Sequence, residues 1–230
     1  MKPKQPLAPF PKTPPIIAVV VVDDAANAAP LAETLLAAGV TAIELTLRTP
    51  SAFASLKAIR AACPEMQVGL GTVLTADQVE EAADAGAAFA VAPGLNPRVV
   101  RAAAAHKLPF APGILTPSDI ETAVELGCRT LKFFPAEAAG GLNYLKSMAA
   151  PYAHLELRYI PLGGLDADNL ADYLACPDIP AVGGSWIAPR NLIGDRAWSA
   201  IGENARQTVA QLSRIQSHAG KQPKAVILKT

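Results

Sequence analysis

One pattern recurs eight times along this 230-residue chain: a short apolar run, a break, then an amphipathic Ala-rich stretch. The apolar runs lie at residues 16–22, 42–47, 67–71, 88–92, 108–112, 130–133, 155–161 and 181–184. Their spacing of roughly 20–27 residues is that of successive βα units. With a helix after every strand, neighbouring strands run parallel. Eight regular repeats point to a sheet that closes on itself, so we expect an α/β chain folded as a single (β/α)8 TIM barrel.

The punctuation agrees with these boundaries. Thr49-Pro50, Asn96-Pro97 and Thr116-Pro117 each set a capping side chain before a proline suited to the first helical position. Thr75 and Gln78 have the spacing of a capping box. Gly39, Gly86 and Gly127 fall where helices should end in left-handed backbone. A last helix is expected over about residues 195–216. Residues 1–13, with Pro3, Pro6, Pro9 and Pro11, read as an extended Pro-rich arm, 14–216 as the catalytic barrel and 217–230 as a C-terminal tail.

Composition removes several classes of function. Basic and acidic residues balance at 20 each without a single-sign block, so no nucleic-acid partner is expected. The run at 16–22 is far shorter than the roughly 18 apolar residues of a membrane helix. It is β-branched and followed by Asp23 and Asp24, so it reads as a buried strand, neither an export signal nor a membrane anchor. Cys63, Cys128 and Cys176 are far apart and form no CxxC, which fits a reducing cytoplasm. His106, His154 and His218 form no paired ligand motif, so neither a metal nor another cofactor is expected. P-loop, GxGxxG and GxSxG motifs are absent from the sequence.

An internal comparison picks out a site. Gly39, Gly86 and Gly127 each precede a strand, and Glu44, Val91 and Lys132 occupy the same offset on the second, fourth and sixth strands. Alternate strands share a layer inside such a barrel, so Glu44 and Lys132 should project inward at one height. The period of two adds Thr46 and Arg48 to the Glu44 face and Phe134 to the Lys132 face. A buried ion pair that merely fills the barrel is the alternative. Removing such a pair is often neutral for stability, however, and the C-terminal ends of barrel strands are where active sites lie.

A second group of residues suits an anion. Gly163 and Gly164 follow the seventh strand, and Gly183, Gly184 and Ser185 follow the eighth; these two loops commonly form the phosphate site of this fold. The glycines could equally serve tight turns, or bind a carboxylate. Two further readings stay open: a phosphate-binding barrel isomerase that forms no Schiff base, and a non-catalytic barrel that binds 2-oxo acids.

IELTLRT at 43–49, GTVL at 71–74, PG at 93–94, PGI at 112–114, LKFFPAE at 131–137 and GGSW at 183–186 resemble the 2-keto-3-deoxy-6-phosphogluconate (KDPG) and 4-hydroxy-2-oxoglutarate (KHG) aldolases. The similarity runs in order from about residue 14 to 211. The resemblance implies a lyase of the Entner–Doudoroff pathway that cleaves the phosphorylated keto acid to pyruvate and glyceraldehyde 3-phosphate. It also implies a cytoplasmic homotrimer without a cofactor. Lys132 matches the family's Schiff-base lysine and Glu44 its proton-transfer residue. Arg48 and Thr72 match the residues that hold the pyruvyl carboxylate, and Phe134 matches an aromatic group against it. Pro93, in the PG pair, belongs with the substrate-binding positions, and Phe133 is expected beside the amine together with Phe134. Where the family usually has Pro-Thr-Gly-Gly, this chain has Pro161-Leu162-Gly163-Gly164, which leaves the favoured sugar-acid epimer open.

Overall fold

The computed structural model describes residues 7–219. Residues 1–6 of the expected arm and 220–230 of the expected tail lie outside the described residues. Parallel strands β1 (Ile16–Val20), β2 (Ala42–Thr46), β3 (Gln67–Gly71), β4 (Ala90–Val91), β5 (Phe110–Ala111), β6 (Gly113–Ile114), β7 (Thr130–Phe133), β8 (Arg158–Pro161) and β9 (Val182–Gly184) curl into a (β/α)8 barrel. Pairing runs β5-β4-β3-β2-β1-β9 and β6-β7-β8. A parallel bridge between Leu162 and Gly183 joins the β8 stave to β9. β5 and β6 are consecutive pieces of one stave. Around the sheet lie α1 (Ala28–Ala37), α2 (Ala52–Ala62), α3 (Ala76–Asp84), α4 (Pro97–Ala105), α5 (Pro117–Glu125), α6 (Gly141–Ala149), α7 (Leu170–Leu174), α8 (Arg190–Gly194) and α9 (Trp198–Ala219).

The divided stave has a local cause. Pro112 has no N–H to give the ladder, although its carbonyl accepts the Lys132 N–H at 2.8 Å. Gly113 runs so close to β4's exit that a Cβ there would meet the Pro93 carbonyl carbon and oxygen at 2.2 Å. The strand expected at 108–112 therefore starts later and continues past the proline. Residue 155 ends a 3-10 turn (Ala150–Leu155), and the strand expected from there begins at Arg158.

Most of the caps behave as expected. Asn96 caps α4 by accepting from the Arg98 N–H, and capping boxes pair Thr75 with Gln78 and Thr116 with Asp119. Gly39, Gly86 and Gly127 end helices at φ 90°, 75° and 86°. Thr49 is the exception. α2 starts after Ser51, and the Thr49 and Ser51 hydroxyls both donate to the Val22 carbonyl, so they tie β1's exit to the next helix and leave the cap unmade. The last helix begins at Trp198, beyond α8 and a left-handed Arg196 (φ 54°), and runs to Ala219, into the stretch expected to be tail. Among the described residues no helix is long and apolar enough to cross a membrane.

The main core lies between sheet and helices, where Leu31, Leu35, Leu56, Ile59, Leu70 and Phe133 are fully buried. Inside the barrel, Ile17, Ala42, Ile160, Leu162 and Ala181 form one small cluster and Phe89, Val91 and Ala111 another. Phe10 of the arm packs against both clusters, and its ring centroid lies 5.1 Å from that of Phe89. Ile17, Ala42, Phe89 and Ala181 sit at or just before the N-terminal ends of their strands. Phe10 thus closes the foot of the barrel and leaves the opposite end as the open mouth.

Candidate active site

Glu44 is the third residue of β2 and Lys132 the third of β7, on staves that face each other across the barrel. Lys132 Nζ donates to Glu44 Oε1 at 2.8 Å, with the residues only 5% and 2% exposed. Alternation along the strands aims both inward. Room for the carboxylate comes from Gly71, where a Cβ would lie 2.2 Å from Glu44 Oε1. A lysine–glutamate pair enclosed in this way can interconvert between ion pair and neutral amine with carboxylic acid by moving one proton along the hydrogen bond. A neutral amine is a nucleophile towards carbonyl carbon.

The pair opens into a pocket of about 510 Å³. Arg48, Phe134, Leu162, Gly163, Gly164, Gly183, Gly184 and Ser185 line it together with Glu44 and Lys132. The Lys132 nitrogen lies 5.5 Å from the Phe134 ring centroid. Phe133, expected as a second flank, faces the other way: it is buried in the outer core and stacks on Tyr144 at 6.2 Å. The period of two that aims Lys132 and Phe134 inward necessarily turns Phe133 out. Thr46 spends its hydroxyl on the Val20 carbonyl at 3.1 Å.

Thr72 and Pro93 are not among the lining residues. Thr72 follows Gly71 directly, half-buried at the end of β3, in left-handed backbone at φ 60°. That conformation is strained for a β-branched residue and needs surrounding structure to hold it. Pro93 packs its backbone against Gly113.

In the anion loops, Gly163 and Gly164 adopt φ 96° and 82°. The Gly163 carbonyl accepts the Glu137 N–H at 3.0 Å, and Glu137 in turn accepts a hydrogen bond from the buried Tyr173 hydroxyl. Burial, then the neighbouring Glu137 carboxylate, pushes the Tyr173 phenol upward. Gly184 has a packing reason of its own, because a Cβ there would strike the Trp186 ring at 1.8 Å. A substitution at Gly184 would therefore report on packing as well as on any ligand.

Sequence reading did not single out Val19, Val21, Leu165, Ala188, Pro189 or Arg190, which complete the lining. The two valines continue the inward alternation of Ile17. Arg190 gives no local signal; its partner is Asp23, 167 positions away, reached only because the barrel closes β9 on β1. The fork is bidentate, with Nε to Oδ2 at 2.8 Å and Nη2 to Oδ1 at 2.6 Å. Hydrogen bonding from Arg190 holds the Asp23 carboxyl below its ordinary range. Among the described residues no three His, Cys, Asp or Glu side chains gather as a metal site requires.

Comparison with known proteins gives this geometry a context. A family model for KDPG and KHG aldolase matches residues 10–204. A 2-dehydro-3-deoxy-phosphogluconate aldolase of Haemophilus influenzae is 41% identical over 84% of this chain and 91% of its own length. The KHG/KDPG aldolase of Escherichia coli K12 is 39% identical over 86% and 92%. A crystal structure of KDPG aldolase from Legionella pneumophila, with pyruvate captured as a covalent carbinolamine, superposes with a TM-score of 0.81 at 36% identity, covering 86% of this chain and 95% of that one. With most of its length matched at such identity and its inward lysine and glutamate in contact, the chain belongs to the KDPG and KHG aldolase family.

Proposed function

We propose that this chain is a class I aldolase that cleaves 2-keto-3-deoxy-6-phosphogluconate to pyruvate and glyceraldehyde 3-phosphate, and that it also accepts 4-hydroxy-2-oxoglutarate. The observation that carries the reading is the enclosed Lys132–Glu44 contact of 2.8 Å at the barrel mouth. The Legionella relative, with pyruvate held as a carbinolamine, supports the same chemistry.

Lys132 Nζ adds to the C2 ketone, with Glu44 returning the proton to the carbinolamine oxygen, and loss of water gives a protonated imine. A base then takes the C4 hydroxyl proton. The C3–C4 bond breaks towards the imine, the aldehyde leaves and an enamine remains on Lys132. We assign that proton to Glu44, directly or through one water. Protonation at C3 and hydrolysis of the imine release pyruvate and restore the amine. The imine is the electron sink, so the sequence of steps needs no metal or organic cofactor.

Arg48 is assigned to the pyruvyl carboxylate with Thr72 and Pro93 beside it, Phe134 to the pyruvyl face, Leu162 to the carbon chain near C4, and Gly163, Gly164, Gly183, Gly184 and Ser185 to the terminal phosphate. Assembly as a homotrimer and residence in the cytoplasm belong to the same reading. An assembly would also cover Leu74, which is 49% exposed just beyond β3.

Borohydride added with pyruvate should fix one pyruvyl group on Lys132 and abolish turnover. Inactivation without an adduct on that residue, or continued activity, would refute the mechanism. A barrel isomerase or a non-catalytic binding barrel would give no adduct.

A further inference from the structure

Charge accounting within the pocket leaves one cation without a task. The cationic side chains in the lining are Arg48, Lys132 and Arg190. Lys132 is matched by Glu44, and Arg48 is assigned to the carboxylate end of the substrate. The glycine loops offer only neutral donors, backbone N–H groups and the Ser185 hydroxyl, whereas a phosphate monoester near neutral pH carries about −1.5 to −2 charges. Arg190 follows the Gly183–Ser185 loop, lines the same pocket and carries the planar fork that suits phosphate oxygens.

Its present partner is a bidentate carboxylate that stands open to water. Arg190 and Asp23 side chains are 60% and 51% exposed, so solvent screens their attraction and a more highly charged anion can compete for the fork. The pair stands at the rim above β1 and β9, and Asp23 is not among the lining residues. A phosphate entering the glycine loops would meet the same guanidinium from the pocket side.

We propose, building on the aldolase reading, that Arg190 is the specificity-determining cation for the substrate's terminal phosphate and Asp23 its exchangeable counter-ion, displaced when phosphate takes over the fork. Asp23 then opposes phosphate binding twice, by occupying the donor and by repelling the incoming charge. Removing the two partners must therefore have opposite effects.

The test is kcat/KM for 2-keto-3-deoxy-6-phosphogluconate and for its unphosphorylated counterpart, 2-keto-3-deoxygluconate, at fixed ionic strength. The readout is the ratio of the two values, which cancels damage common to both substrates. Arg190→Ala should lower this ratio about 10- to 100-fold, the scale of one lost charge-assisted contact. Arg190→Lys should restore part of it, because the charge returns without the fork. Asp23→Asn should raise the ratio and lower the concentration at which inorganic phosphate inhibits. An unchanged ratio in Arg190→Ala would overturn the assignment. A ratio that falls in Asp23→Asn as it does in Arg190→Ala would make the pair a loop staple and overturn it too. Failure of the unaltered protein to release pyruvate from either substrate would sink the aldolase reading and this assignment with it, a result readily told apart from the other two.

Discussion

Gly71→Ala tests whether the position of Glu44, rather than its mere presence, governs turnover. A Cβ at residue 71 would lie 2.2 Å from Glu44 Oε1, 2.7 Å from Cγ and 2.8 Å from Cδ. Comfortable non-bonded separations are about 3.5 Å, so the carboxylate must retreat by roughly 1 Å. The displaced oxygen is the one that accepts from Lys132 at 2.8 Å. A misplacement of about 1 Å lowers rates on the order of 10²-fold, and overpacking a dense interior destabilises by about 1–3 kcal/mol. Gly69→Ala is the control. Its Cβ would strike the Phe89 ring at 2.1 Å, a similar insult on the same strand but one layer nearer the foot. Thermal melts and a coupled assay of pyruvate release, scaled to the sites that borohydride and pyruvate can trap, separate folding from turnover. Both variants should melt earlier, and only Gly71→Ala should lose kcat per trappable site by about 10²-fold. Equal losses of kcat in the two, or a loss below about threefold in Gly71→Ala, would refute the reasoning.

Glu44→Gln keeps the shape but cannot carry the proton, and kcat should fall roughly 10²–10⁴-fold, whereas Arg48→Ala should chiefly raise KM; normal turnover by Glu44→Gln would move the base elsewhere. Leu162→Thr should shift the ratio of kcat/KM values for the gluconate- and galactonate-derived substrates, epimers at C4, towards the former, since a site with a hydroxyl partner discriminates where an apolar one does not. The same change removes a buried side chain from the small cluster that includes Ile17, Ile160 and Ala181, so the melting temperature should drop, and an unmoved epimer ratio would leave Leu162 as packing alone. Burial pushes the Cys128 thiol up to about 12 and raises Cys63 as well, so both stay protonated and inert at pH 8 in the folded protein. Iodoacetamide followed by mass spectrometry should find Cys176 modified first and the other two only after unfolding; rapid labelling of native Cys128 would contradict its burial.

The inward lysine–glutamate pair was legible because periodicity and fold rules act together there. A helix-ending glycine sets the phase of each strand, and the phase sets which residue looks inward, so Glu44 and Lys132 could be matched 88 positions apart. Strand ends were less legible. Pro112 breaks a stave because it has no N–H for the ladder, and the close approach of the next residue, Gly113, to Pro93 is a long-range contact that no local pattern announces. Thr49 has the composition of a cap, yet a long-range partner, the Val22 carbonyl, competes for its hydroxyl and wins. Arg190 was missed for the same reason: its meaning depends on Asp23, and only closure of the ring brings the two together.

Phe10 implies a division of volume between the arm and the repeats. The two clusters it packs against include Ala42, Ala111 and Ala181, small side chains that leave room for a ring. The eight units are thus incomplete as a container, and a ring supplied from before the first strand serves as their missing floor. Interiors are packed to a nearly fixed density, so a methyl group lost at residue 10 must be made good across the sheet and one gained at Ala42 or Ala181 must be given back by the arm. These positions form a single steric unit spread over both halves of the sequence. Leu162, Val19 and Phe134 belong to the same packed group and also line the mouth, so a change of substrate preference made through them reaches the packing that the arm completes.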